Sequence, residues 1–243
     1  MRILVVSDIH ANLPALDAVL AAARSGGGFA RVWSLGDTVG YGPQPNECLE
    51  RMQGLGALSV AGNHEGAVLG QLPLSDFNPA AARAIEWTVV QLSGQMTDYL
   101  RTMPARLEES DVTLVHGSPR DPAWEYLSLA RQAADNLASF TTQGCAHGHT
   151  HVPAWLSVEG QRMAGGRPGE GTTVKIGRGR FYLNPGSVGQ PRDGDSRASY
   201  AVVDLEVRRV TFRRVPYDIR ETQRLMQAAG LPAVLINRLS IGR

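Results

Sequence analysis

The chain has 243 residues, 43% of them hydrophobic and 19% charged, with a formal net charge of +1. These proportions exclude a disordered chain, and near-neutrality excludes a dominating positive field of the kind that gathers nucleic acid or anionic lipid. Cys48 and Cys145 lie far apart without CxxC spacing, which argues against a disulfide framework or a thiolate zinc site and fits a reducing cytoplasm.

At the N-terminus, the apolar run Ile3 to Val6 meets Asp8 at once instead of continuing as a signal peptide would, so it reads as a buried strand. No stretch approaches the ~20 apolar residues needed to cross a bilayer, and no membrane partner is expected. A helix follows, with Asn12 as its cap, Pro14 in its first turn and Leu13, Leu16, Val19 and Leu20 on one face before Gly26-Gly27-Gly28. Val32 to Leu35 predicts a second strand, Asn46 to Met52 a short helix, and Ala57 to Val60 a third strand. This alternation predicts a largely parallel sheet covered by helices.

Ala80 to Leu92 and Gln95 to Met103 predict two helices on the rim of the sheet, divided near Ser93-Gly94. Val112 to Val115 predicts another strand and Ala130 to Phe140 another helix. Beyond His151 the period changes, and Val152 to Val158, Thr172 to Ile176, Arg180 to Leu183, Ser199 to Leu205 and Val207 to Val215 predict antiparallel strands. The glycine-rich segment Gly160 to Gly179, with Arg162, Arg167, Lys175 and Arg178, reads as a solvated loop, with a hairpin as the alternative. The tail from Asp218 to Leu239 is helical, broken at Gly230 and Pro232. With no repeat and no separating linker, one domain spanning 1–243 is expected.

The chemistry is concentrated where these strands end. Asp8 and His10 follow the first, Asp37 the second, Asn63, His64 and Glu65 the third, His116 a later one, and His149 and His151 another. A parallel sheet gathers such residues at its carboxyl edge. In an extended segment Asp8 and His10 leave the same face and can bind one ion, and His149 and His151 repeat the spacing. Asp37, in a tight Gly36-Asp37 turn, is the natural carboxylate to bridge two ions with its two oxygens. Mixed carboxylate, imidazole and amide ligands suit Mn²⁺, Fe, Co²⁺, Ni²⁺ or Zn²⁺ better than Ca²⁺ or Mg²⁺.

A single Asp-x-His or Gly-Asp pair marks only a polar turn, but five such elements in order outweigh that reading, and five of the six histidines belong to them. His147 is the exception, out of step with His149 and His151, and is expected in the core or behind the ligands. Asn184-Pro185-Gly186-Ser187 is expected to shape a wall of the site. Trp33, Trp87, Trp124 and Trp155 are expected in cores or rims.

Through SDIHAN (7–12), GDTVGYGP (36–43), GNHE (62–65), HGSP (116–119), GHTH (148–151) and NPGSVGQPRD (184–193), the sequence resembles the calcineurin-like metallophosphoesterase superfamily, in particular its small bacterial and archaeal members without a cap domain. The resemblance extends to about Leu205. It implies an α/β fold, a four-layer α/β/β/α sandwich of two mixed sheets flanked by helices. It further implies two divalent metal ions, manganese first among the candidates, with Asp8, His10, Asp37 and His151 on one and Asp37, Asn63, His116 and His149 on the other. His64 and Glu65 take the catalytic positions: His64 stands near the leaving group, and Glu65 stands where many relatives use Asp to orient that histidine. The implied activity is hydrolysis of a small-molecule or nucleotide phosphodiester or phosphomonoester by a metal-bridging hydroxide.

The alternatives are a nuclease, which calls for a basic track beside the site, and a protein phosphatase, disfavoured because Gly40-Tyr41-Gly42 replaces the Asp-Arg-Gly whose arginine holds phosphate. Arg120 or Arg192 is a candidate replacement for that charge. From another class comes a catalytically idle protein-binding scaffold of the same fold, which should lack ligands; here every one is present.

Overall fold

The computed structural model describes residues 1–128, 130–160 and 162–243. Strand β1 (Arg2–Val6) leads to helix α1 (Leu13–Ser25), whose start is fixed by Asn12: its side-chain oxygen accepts a 3.2 Å hydrogen bond from the Ala15 N–H. Strand β2 (Arg31–Ser34), helix α2 (Pro45–Gly54) and the two-residue strand β3 (Leu58–Ser59) follow. Helix α3 (Asn63–Val68) begins within the GNHE run, and α4 (Pro79–Gln91) and α5 (Gly94–Arg101) are capped by Asn78 and Ser93. Strands β4 (Arg106–Glu109) and β5 (Val112–Val115) pair antiparallel, and α6 (Ala130–Asn136) precedes β6 (Gly144–Ala146). The remaining elements are β7 (Ala154–Glu159), β8 (Arg162–Gly166), β9 (Thr173–Lys175), β10 (Arg180–Asn184), β11 (Ala198–Asp204), β12 (Arg209–Val215), α7 (Ile219–Ala228) and α8 (Ala233–Arg238).

The strands form two mixed six-stranded sheets, in the orders β3-β2-β1-β11-β12-β9 and β4-β5-β6-β10-β7-β8. Alternation along β1 shows how they stack. Ile3 and Val5 join Trp33, Val203 and Phe212 of their own sheet and Leu114, Phe181 and Leu183 of the other in one buried cluster. Leu4 and Val6 face the other way, onto Leu16, Val19 and Leu20 of α1. Behind the second sheet, Val115, Cys145 and Tyr182 pack with Ala133 of α6. The layers are therefore helix, sheet, sheet, helix, as the resemblance implied.

Several elements differ from the sequence reading. β10 is not wholly antiparallel in its pairing: it runs parallel to β6 and antiparallel to β7, so both sheets are mixed. β4 and β6 carry too few alternating apolar residues to stand out, and α3 is too short to show a helical period. The segment 160–179 is not simply a loop. β8 pairs with β7 from Trp155↔Gly166 to Glu159↔Arg162, and β9 pairs with β12; Gln161 lies outside the described residues. β8 is exposed throughout, so backbone pairing holds it and its sequence shows no apolar pattern. Helices α4 and α5 pack chiefly on α2 and α3. Among the described residues no helix is long and apolar enough to cross a membrane.

The inter-sheet core sets the spacing of the two strand edges that carry the polar loops. Phe212 is 2% exposed within it. Phe212→Ala is expected to lower the unfolding free energy by about 3–5 kcal/mol, read as a fall in the urea midpoint at unchanged slope.

Candidate metal centre

β1, β2 and β3 run parallel, as do β5 and β6, so the loops that follow them emerge at their carboxyl ends. The loops are laced to one another beyond the strands. Asp8 N–H donates to Gly36 O at 3.1 Å, His10 N–H to Asp37 O at 2.9 Å and Ala11 N–H to Thr38 O at 2.8 Å. The 184–193 run braces the same loops: Gly189 N–H and the Ser187 hydroxyl both donate to Asp8 O. Two glycines permit this closeness. A Cβ on Gly62 would collide with Asp37 Oδ1, and one on Gly148 with Ser7 Oγ.

The expectation that Asp8 and His10 share a face of an extended segment is corrected here, as is the same expectation for His149 and His151. All four have left-handed backbones, with φ of 52°, 48°, 64° and 58°, and Asp37 joins them at 53°. Backbone bonding between loops, not strand alternation, aims these side chains. Asp and His tolerate that region better than most residues, yet each such position costs on the order of 1–3 kcal/mol, which the surrounding bonds must offset.

The seven side chains converge. Asp8, His10, Asp37 and His151 present ligand atoms all within 4.8 Å of one another, and so do Asp37, His116 and His149. Asn63 Oδ1 lies 3.1 Å from His116 Nε2, beside His149 Nδ1 at 3.0 Å. Asp37 Oδ2 is common to both halves, 3.7 Å from His10 Nε2 and 3.2 Å from His116 Nε2. Its Oδ1 instead accepts the His64 N–H at 3.0 Å. One oxygen of Asp37, and not its two, therefore faces both groups.

The proton inventory tests whether cations fit. His10, His116 and His151 each place Nδ1 against a backbone carbonyl, of Val39, Leu35 and Gln190, at 3.0, 2.8 and 2.6 Å. A carbonyl only accepts, so each Nδ1 carries a hydrogen, and each ring in its neutral form turns a lone pair inward from Nε2. His10 Nε2 and His151 Nε2 thus face each other at 3.2 Å, beside Asp8, neither of whose buried oxygens receives a hydrogen bond among the described residues. Lone pairs and carboxylate oxygens crowded together in a dry interior repel unless positive charge lies between them. These residues fit divalent cations, and no thiolate takes part.

Charge in the free site points the same way. Burial raises the Asp8 carboxyl to about 7, with Asp37 adding to the effect. Burial alone would also raise Asp37, but His116, His64 and His10 outweigh it and hold its carboxyl well below the usual range. Burial pushes His116 down, but the charge and hydrogen bond of Asp37 prevail and carry it up to about 9. A proton on His116 is therefore the positive charge that balances Asp37. His10 and His151 are held neutral, chiefly by burial.

A cavity of about 250 Å³ opens over this cluster, walled in part by His64, Tyr41, Phe77 and Trp124. His64 packs its ring 4.4 Å from Tyr41, and its Nδ1 is buried without a hydrogen-bond partner among the described residues. Glu65 does not orient it. The Glu65 carboxylate accepts the N–H groups of Asp37, Thr38, Val39 and Gly62, at 2.8, 2.7, 3.2 and 2.7 Å, and so clamps the Asp37 turn onto the start of α3. Arg120 pairs with Glu125 away from the cavity, whereas Arg192 lines it.

Sequence reasoning missed Arg238, which α8 brings to the same wall. Nothing local marks it; it arrives because α7 and α8 bury Met226, Leu235 and Leu239 with Tyr41. Tyr41 was the legible signal, a bulky residue at φ 59° between glycines. Among the described residues neither Arg192 nor Arg238 pairs with an Asp or Glu: Arg192 donates to Gln190 Oε1, and Arg238 Nε donates to Arg243 O. His147 stays outside both groups, buried, with Nδ1 3.3 Å from the Asn184 amide. Asn184 also donates to Gly148 O and Thr150 Oγ1, fixing the GHTH turn as a wall residue should.

The chain belongs to the calcineurin-like phosphoesterase superfamily, whose domain model matches residues 1–208. It is similar to the crystal structure of a metallophosphoesterase from Sphaerobacter thermophilus, at 49% identity over 100% of this chain and 99% of that one, with a TM-score of 0.91. It is 38% identical to the protein MJ0912 of Methanocaldococcus jannaschii over 99% of this chain and 98% of that protein. The protein PH1004 of Pyrococcus horikoshii shares the fold, with a TM-score of 0.80 at 20% identity, covering 100% of this chain and 98% of that one.

Glu65→Ala would leave four backbone N–H groups without their acceptor; a loss of about 3–5 kcal/mol of stability is expected in denaturant titration. At pH 7 the free site holds a proton on His116 and, in part of the population, one on Asp8. Cation binding must displace both, so affinity should rise with pH through 7 and level off above about 9, with more than one proton released. Titration calorimetry with Mn²⁺ in buffers of different ionisation enthalpy measures that release; none would contradict the arrangement.

Proposed function

We propose that the chain is a metal-dependent phosphoesterase that hydrolyses a phosphodiester or phosphomonoester of a small molecule or nucleotide. The observation that carries this is the pair of donor sets meeting at Asp37 Oδ2. In this reading Asp8, His10, Asp37 and His151 hold one divalent cation, and Asp37, Asn63, His116 and His149 the other. Two such ions, manganese the first candidate, would supply Lewis acidity toward phosphoryl oxygens and lower the pKa of water. We also take 1–243 as one domain, since α8 supplies a wall of the cavity.

The chain's own residues then have distinct tasks. Arg192 and Arg238 bring permanent positive charge to the cavity wall, where a phosphoryl group would be oriented by charge-assisted hydrogen bonds. Burial lowers His64 to about 4, so it is neutral at pH 7 and carries a single ring proton. That N–H donates a hydrogen bond to the departing oxygen and steadies the negative charge that develops there. Glu65 acts at one remove, by fixing the backbone that presents Asp37. The complete donor set speaks against an idle scaffold, and the two arginines stand as a compact pair, not as the extended basic track of a nuclease.

The test is hydrolysis of bis-p-nitrophenyl phosphate and of p-nitrophenyl phosphate after chelation and again after Mn²⁺ is restored. Metal-dependent release from at least one is expected, and silence on both would overturn the reading. Asp37→Ala should lose bound metal and activity together. His64→Ala should keep its metal while kcat falls by about 10²-fold or more, most steeply for poor leaving groups; loss of metal in that variant would mean that its role is misassigned.

A further inference from the structure

A second and larger cavity, of about 610 Å³, lies next to the metal cleft. Tyr126 belongs to both cavities: its ring stacks on His149 with centroids 4.0 Å apart and 20° between planes, and its side chain is 47% exposed. The walls of the larger cavity include Trp155, Leu156 and Tyr182 from the second sheet and Met163 from β8. Tyr182 is fixed in place, since its hydroxyl donates to Ala133 O at 2.7 Å. The volume lies within the range that accepts an organic ligand and far exceeds what a phosphoryl group needs.

The polar groups of this cavity are few and mostly uncharged. His147 is buried in its floor, and with Nδ1 against the Asn184 amide, Nε2 is left as its available hydrogen-bonding atom. Thr150 lies between two candidate metal ligands, His149 and His151, and also lines the cavity. Among the described residues no carboxylate lines it, and Arg167 is its one cationic residue. Flat aromatic walls with one buried imidazole suit an uncharged planar ring that carries hydrogen-bonding edges.

We infer that the larger cavity seats the aromatic part of the substrate, a planar ring system of nucleobase type, while the phosphoryl group reaches past Tyr126 into the metal cleft. The inference rests on the phosphoesterase reading for its phosphoryl end; the ring site itself stands on the cavity. It gives Tyr126 a positioning role at the junction and the β7–β8 hairpin a binding role. It also favours phosphoesters with a bulky aromatic portion over compact aliphatic ones.

The hairpin offers a clean way to block the cavity. Gly166 lines it, and a Cβ there meets nothing within 4 Å, so Gly166→Phe should fill the space without disturbing the fold. Gly169, outside the cavity, has equally open surroundings, and Gly169→Phe is the matched control. Calorimetry on the Mn²⁺-loaded protein should show saturable binding of adenosine and none of ribose. Gly166→Phe should weaken adenosine about tenfold or more, and Gly169→Phe should not. No adenosine binding, equal binding of ribose, or the same loss in both variants would overturn the inference. Adenosine should also compete with bis-p-nitrophenyl phosphate in the wild type. If that hydrolysis is undetectable the phosphoesterase reading fails, whereas the calorimetry decides the ring site on its own.

Discussion

One carboxylate oxygen organises this molecule. Asp37 Oδ2 faces His10 from one group of side chains and His116 from the other, in an interior where lone pairs outnumber protons. Such an arrangement repels itself when empty of positive charge, and the free protein moderates it by keeping His116 protonated. The clamp of Glu65 on four backbone amides, the backbone laces between the loops, and the left-handed conformations at five candidate ligands all serve to hold that oxygen where both groups reach it. Strain and buried charge are concentrated at this point, and two ordinary sheet interiors around it supply the stability that permits them.

The C-terminal third is coupled to the site more closely than its late position in the chain suggests. The 184–193 run bonds to Asp8 and through Gln190 O to His151. Asn12 caps α1 and also accepts the Thr222 hydroxyl at 2.9 Å, tying α7 to the first loop. α8 then carries Arg238 to the cavity wall. A cluster formed early in the chain is thus finished by charge delivered at its end. The two cavities that meet at Tyr126 divide the surroundings by chemistry: a small, polar and charged cleft over the candidate ligands and a larger, largely apolar chamber beside it.

Much of this was legible beforehand, for identifiable reasons. Buried strands such as β1 must be apolar on both faces, and a polar residue directly after such a run has few structural excuses. Repeated at Asp8, Asp37, Asn63, His116 and His149, that feature marked a site without any coordinates. What misled was local geometry. Asp8-x-His10 and His149-x-His151 look like strand alternation, whereas bonds from neighbouring loops turn both pairs into left-handed backbone. Glu65 looked like the partner of the adjacent His64, whereas unpaired amides from residues 37 to 39 claim its carboxylate.

By itself, then, the sequence determined the class of fold, the identity of the candidate ligands and the burial of β1 on both faces, because each depends on residue type and short spacing along one segment. Only the tertiary structure decided which oxygen of Asp37 is shared, where Glu65 directs its charge, that Arg238 joins Arg192, and that a second chamber opens beyond Tyr126. Those features arise where segments remote in sequence meet, and hydrogen bonds between loops and packing between helices are not encoded in any local period.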